Sequence, residues 1–366
     1  TGDEADPFLQ VKNLHDWICD NIAYDAEGYF SGNYSGTDYG SVLRSGKSVC
    51  DGYSGLFLKM AEKAGFQAVK ISGHAKGYGF DPVHKERRES THAWNGVEIN
   101  GNWYLLDCTW DAGHVTTEGY TKKYSTGYLF LAPEYMIFTH HPDQDRWQLL
   151  KTPVSYDDYL DLHFFRGEYF NYLSVDGDGS PEQRNRFVVQ QEAVLKLPKK
   201  SGSFITAVLE GPDMTRYENR AYVDNDFDKI TVHAVFPEAG SYKIRLFGFT
   251  GLSGEWLGDI ILQAKKGSDI KMPLVYSNFI QHRFRIIKPE AKYLLLGQPG
   301  TVTVYAPGWE TALVQMGGKS FEMEASGTDQ FRVDLPAVIA GEIDVFGSSN
   351  KNSNSYEGAC KIFALE

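Results

Sequence analysis

The stretch Ser45-Gly46-Lys47-Ser48-Val49-Cys50-Asp51-Gly52-Tyr53-Ser54-Gly55 passes from a polar, glycine-containing approach into a helical pattern. From Cys50 on, Tyr53, Leu56, Phe57, Met60, Ala61 and Ala64 recur at three- and four-residue steps, which gathers them on one helical face. Lys59 and Lys63 suit the last turns, and Gly65 suits the C-terminal stop. Cys50 therefore falls in the first turn. Unpaired backbone N–H groups and the helix dipole favour an anion there, and thiolate is the reactive form of cysteine. The same N–H groups can receive the oxyanion of a tetrahedral intermediate. Taken alone, a cysteine in this place is more often a small apolar filler. It becomes a nucleophile only with a base, and the base needs a group to orient it.

A hairpin downstream offers both. The run 92–99 (His-Ala-Trp-Asn-Gly-Val-Glu-Ile) and the run 103–109 (Trp-Tyr-Leu-Leu-Asp-Cys-Thr) flank Asn100-Gly101, a strong turn signal. With a two-residue turn, Ile99 faces Asn102 and His92 faces Thr109. Parity then puts Asp107 on the face of His92, as its diagonal neighbour, within reach of an imidazole. Asp107 would fix the tautomer of His92 while the second ring nitrogen meets Cys50. Strand alternation turns Cys108 away from Asp107 into the core, and Trp94 and Trp103 read as packing residues.

These motifs resemble the core of the transglutaminase-like superfamily. Gly46 through Ser54, His92-Ala93-Trp94-Asn95 and Trp103 through Gly113 follow that family's order, and Asp16 through Asp25 resembles its leading helix. Tyr128 through Glu134, His140-His141-Pro142-Asp143 and Trp147 through Leu150 are similar to the kyphoscoliosis-peptidase branch. The resemblance covers about residues 10–165. It implies a papain-like thiol fold, with Cys50 as nucleophile, His92 as general base and acid, and Asp107 as orienting carboxylate. It implies acyl transfer through a thioester on protein or peptide amides. Water as acceptor makes a peptidase or amidase, the reading favoured by the branch. A lysine amine makes a cross-linking transglutaminase, and a core that has lost turnover makes a binding module. The oxyanion-hole side chain is expected from the 28–41 stretch, a tyrosine or another polar residue.

Outward from this core, Val11, Leu14, Trp17, Ile18 and Ile22 predict an amphipathic helix over 11–22, and 28–41, rich in Gly, Tyr and Ser, reads as a surface loop. From about 181 the character changes to short β-rich segments with turn punctuation. The expected architecture is α+β: a catalytic domain over 1–180, then two all-β, immunoglobulin-like sandwich domains over 181–281 and 282–366. The sandwiches are expected to meet protein partners.

Composition bounds the rest. Lys and Arg total 36 against 48 Asp and Glu, a net charge of −12, which disfavours nucleic acid. No run of apolar residues is long enough to span a membrane. The chain is expected to be soluble, and since it opens on Thr1 an upstream targeting segment can be missing. Cys19, Cys50, Cys108 and Cys360 show no zinc or disulfide-framework spacing, so no metal and no cofactor is expected. Cys19 reads as inert. His140-His141 lacks carboxylates at useful spacing and reads as structural. Asp176-Gly177-Asp178-Gly179 lacks a full calcium-ligand series and reads as a linker turn.

Overall fold

Helix α1, Pro7–Asn21, begins where the Asp6 carboxylate accepts the Phe8 N–H at 2.8 Å and Pro7 presets the first turn. Val11, Leu14 and Ile18 are buried on one side of it, and Ile22, just past the helix, is buried with them. Trp17 departs from the expected stripe and is 41% exposed. Six residues past Val11, it has turned about 240° around the axis and left the apolar face.

Ala23–Tyr24 (β1) and Lys47–Ser48 (β2) pair in parallel, bringing the approach to Cys50 back beside the end of α1. The 28–41 stretch is not the loop expected. It holds α2, Ala26–Ser31, and the start of α3, Tyr39–Ser45. Caps rather than intrinsic propensity make these short helices. Asp25 and Asp38 accept N–H groups of Gly28 and Ser41 at their starts, and Gly32 and Gly46 close them at φ 71° and 66°. Helix α4, Cys50–Lys63, follows. Its inner face joins Tyr53, Leu56, Phe57 and Ala61 to Val11, Leu14 and Ile18 in one apolar cluster.

Strands β3 (Ala68–Ala75), β4 (His92–Ile99), β5 (Asn102–Leu106), β8 (Leu129–Leu131) and β9 (His140–Pro142) make a five-stranded antiparallel sheet in the order β8-β5-β4-β3-β9. Between β5 and β8 lie helix α5, Cys108–Ala112, and the hairpin β6–β7 (Gly113–Thr116 and Gly119–Lys122). The β4–β5 turn has Asn100 at φ 52° and Gly101 at φ 80°, the left-handed pair of a two-residue hairpin, and Ile99 faces Asn102. The ladder stops at Asn95 and Leu106, however. His92 does not face Thr109: it pairs with Gly73 on β3, and Cys108 and Thr109 are helical. The strand ends because Asp107 caps α5, its carboxylate accepting the Thr109 and Trp110 N–H groups.

The structure is a computed structural model describing residues 4–34, 36–77, 80, 90–174, 187–251, 253–352 and 355–366. The Asp176–Gly179 run and the expected boundary at 181 lie outside those residues. The chain separates into two compact units, Thr1–Glu168 and Tyr169–Glu366. The elements above belong to the first. The second is largely β. Glu192–Pro198, Lys229–Val235 and Ala221–Asn225 form one antiparallel sheet, and Gly254–Ala264, Gly240–Phe249, Phe204–Glu210 and Arg216–Tyr217 run side by side in another. Strands from Leu274 to Leu365 add a larger sheet. Alternation along Glu192–Pro198 and Gly240–Phe249 sends every second side chain inward, the mark of strands with one wet face.

Candidate active site

Three elements converge at Cys50. The thiol opens α4 and is half-buried. Val49, in the N-cap position, gives no side-chain cap, so the first-turn N–H groups are not claimed by a capping side chain. His92 stands at the start of β4 with its side chain 8% exposed. Asp107 closes β5, and its side chain is 1% exposed. His92 donates from Nε2 to Asp107 Oδ2 at 2.7 Å. With Nε2 committed to Asp107, Nδ1 is the ring nitrogen left for Cys50, whose charge bears on the imidazole.

Asp107 does two jobs with two oxygens. Oδ1 accepts the Thr109 and Trp110 N–H groups at 2.8 and 3.3 Å, capping α5. Oδ2 accepts from His92 and also from His140 Nε2 at 3.0 Å. The expectation that His140 has no carboxylate partner is thereby corrected. The partner is 33 residues away in sequence, brought there when β9 pairs with β3 and sets His140 opposite Ala75. Thr139 Oγ1 lies 2.9 Å from His140 Nδ1. If that hydroxyl donates, Nε2 carries the only ring proton and points it at Asp107. His141, by contrast, lies on Tyr156 and Tyr159 and meets the Val154 carbonyl, a packing role.

The electrostatics separate the two imidazoles. Burial opposes charge on His92, yet Asp107 and Cys50 outweigh it and raise its pKa to about 10. Burial also opposes charge on His140, and there it prevails over the hydrogen bond to Asp107, leaving the pKa at about 4. Burial pushes Asp107 up, but His92 and His140 hold it well below the ordinary carboxylate range. At neutral pH the arrangement is a cationic His92, an anionic Asp107 and a neutral His140. The indole of Trp110 covers both rings, 5.7 Å from His92 and 4.6 Å from His140 between centroids, and Trp94 stacks on His92 at 6.1 Å. These walls exclude water and strengthen the charge interactions inside.

Tyr24, on β1 and outside the 28–41 stretch, also stands near the thiol. Burial first, and then the charge of Cys50, push its phenol pKa upward. Sequence reasoning missed both Tyr24 and His140. The Tyr24–Ser48 pairing that brings Tyr24 beside the Cys50 approach is a tertiary fact. Among the described residues, two groups could hold a metal by donor type and spacing: His92, Asp107 and His140 here, and His15, Cys19 and Cys108 elsewhere in the first unit. Hydrogen bonds run within both groups, and only the second offers sulfur donors.

A helix-borne thiol facing an antiparallel sheet that carries an imidazole and a carboxylate defines a transglutaminase-like domain. Residues 1–108 match the model of the transglutaminase-like superfamily, a span that contains Cys50, His92 and Asp107, and the chain carries a domain of that superfamily, in its kyphoscoliosis-peptidase-like branch. Kyphoscoliosis peptidase of Mus musculus is 29% identical over 240 residues, covering 65% of this chain and 35% of that protein. The Homo sapiens protein of the same name is 35% identical over 164 residues, 44% of this chain and 25% of that one. Hillarin of Drosophila melanogaster is 28% identical over 178 residues, 45% of this chain and 20% of its own. The chain thus matches about a third or less of the length of these relatives. Among the described residues no helix is long and apolar enough to cross a membrane.

Proposed function

We propose that this protein performs thiol-dependent acyl transfer on protein or peptide amides. The Cys50 thiol passes its proton to His92, giving the cationic ring, and the sulfur attacks the carbonyl carbon; the oxyanion is received by first-turn N–H groups of α4 and the Tyr24 hydroxyl. As the tetrahedral intermediate collapses, the C–N bond breaks and His92 gives its proton to the departing amine. Asp107 holds His92 in the productive tautomer throughout. An acceptor, activated by His92 returned to its neutral form, then attacks the thioester and releases Cys50. The observation that supports this most directly is the 2.7 Å bond from His92 Nε2 to Asp107 Oδ2, which leaves the other ring nitrogen for the sulfur. The peptidase name of the relatives favours water as acceptor.

The test incubates the full chain with an unfolded protein substrate, with and without a fluorescent primary amine. New peptide termini are expected by mass spectrometry, with amine incorporation as the minor outcome. Iodoacetamide at Cys50, or Cys50→Ala, should lower either rate by 10³-fold or more. An unchanged rate in the alkylated protein would sink the mechanism. We read the β-rich remainder as two immunoglobulin-like sandwich modules, over 181–281 and 282–366, that present protein partners to this site.

A further inference from the structure

We propose that His15, Cys19 and Cys108, with Asp111 hydrogen-bonded to the imidazole beside them, form a second site, separate from Cys50, that binds one divalent cation of the zinc type through its nitrogen and two sulfurs and ties the helix behind Asp107 to α1. The four residues come from two helices. His15 and Cys19 are one turn apart on α1, and Cys108 and Asp111 one turn apart on α5, so each pair projects from a single face. All four are buried, His15, Cys19 and Asp111 at 0% exposure and Cys108 at 2%.

The distances among the imidazole and the two sulfurs suit a common centre. His15 Nε2 lies 3.6 Å from Cys19 Sγ and 3.0 Å from Asp111 Oδ2. His15 Nε2, Cys19 Sγ and Cys108 Sγ all lie within 4.8 Å of one another. Zinc bonds of about 2.0 Å to nitrogen and about 2.3 Å to sulfur, at a tetrahedral angle, place those two donors about 3.6 Å apart.

The surrounding bonds assign the lone pairs. His15 Nδ1 lies 3.0 Å from Asp16 Oδ1, and a proton there, donated to that carboxylate, turns the Nε2 lone pair inward. That is the support a ligating imidazole ordinarily has. Asp111 is steadied by the Tyr128 N–H, 3.1 Å from each carboxylate oxygen. Without a cation, Nε2 turns a proton to Asp111 at 3.0 Å and the Cys19 thiol donates to the Cys108 carbonyl at 3.4 Å. With one, the imidazole and the two sulfurs direct lone pairs to one point. Binding releases the two thiol protons and the Nε2 proton to solvent, and no electron moves. Cysteine spacing gave no hint of this, because the donors are shared between helices 89 residues apart along the chain.

The site does not depend on turnover at Cys50. The test titrates the reduced full chain with cobalt(II), then zinc(II). One equivalent of cobalt should bind, with sulfur-to-metal charge transfer in the near ultraviolet and the visible bands of a tetrahedral ion, and zinc should displace it. Cys50→Ala should keep these bands, which excludes Cys50 as the sulfur donor, and His92, Asp107 and His140 offer no sulfur to give them. Cys19→Ser and Cys108→Ser should each weaken binding at least tenfold, with circular dichroism reporting whether the variants fold. A wild-type chain that gives no sulfur-to-cobalt band overturns the proposal without reference to any variant. So does a band that survives in the folded double variant.

Discussion

At the scale of single residues, two histidines on one carboxylate oxygen carry opposite charge states, and pH tells them apart. His92, raised to about 10 against an ordinary 6.5, contributes stability that is complete below pH 6.5 and lost as pH rises through about 10. Asp107, depressed below its ordinary 3.8, contributes stability that is present above 3.8 and lost only in stronger acid. Between 3.8 and 6.5 their pairing is therefore constant. His140 behaves otherwise. Its pKa falls from 6.5 unfolded to about 4 folded, so the unfolded chain takes up a proton that the folded chain refuses. Stability should decline as pH falls from 6.5 to about 4, by about 3 kcal/mol in full. His140→Gln keeps a donor toward Asp107 and removes the titration. Urea denaturation at pH 7 and pH 4.5 should show the variant losing about 2 kcal/mol less than wild type in acid. Equal losses would mean that His140 is not held neutral by its surroundings.

At the scale of elements, His140 reaches Asp107 because β9 lies flush against β3, and Gly73 permits that approach. A Cβ on Gly73 would sit 2.3 Å from the His141 carbonyl oxygen and 2.7 Å from Pro142 Cα, both backbone atoms that cannot swing aside. Gly73→Ala should push β9 off the sheet, costing about 1–3 kcal/mol by overpacking. It should lower kcat more than it raises KM, because the loss falls on the orientation of Asp107 and not on substrate contact. Thermal unfolding with kinetics on the same preparation checks both. An unaltered kcat would detach β9 from the chemistry. The same scale shows what could be read beforehand. Asn100-Gly101 fixed the hairpin register, since few residues other than Asn and Gly enter left-handed backbone cheaply. The periodicity after Cys50 located α4. The short helices α2 and α3 were not legible, because helices of 6 and 7 residues, under two turns each, carry too little pattern and depend on Asp25, Asp38 and two glycines acting as caps. The strand that was expected to run through Thr109 failed for the same reason: Asp107, read as part of a strand, turns the chain into α5.

At the scale of the whole molecule, the legible part was local and the hidden part was tertiary. His92 and Asp107 lie 15 residues apart across one hairpin, so parity could suggest their meeting. His140 on Asp107 and His15 on Asp111 need strands and helices brought together from 33 and 96 residues away, which no window of sequence contains. Each compact unit also has its own apolar core. One joins Ile18, Phe57 and Val97; the other joins Phe279, Val314 and Val345. If each cluster holds its own unit together, the chain unfolds in two cooperative blocks, for which a single unfolding free energy is not defined. Calorimetry should therefore resolve two transitions. Phe57→Ala, at a fully buried position, should lower one by the equivalent of about 3–5 kcal/mol, while Val345→Ala lowers only the other. Cobalt or zinc should raise the transition that Phe57→Ala lowers, because His15, Cys19, Cys108 and Asp111 all lie in that unit. If both substitutions moved one shared transition, with calorimetric and van't Hoff enthalpies equal, the two cores would fold as one.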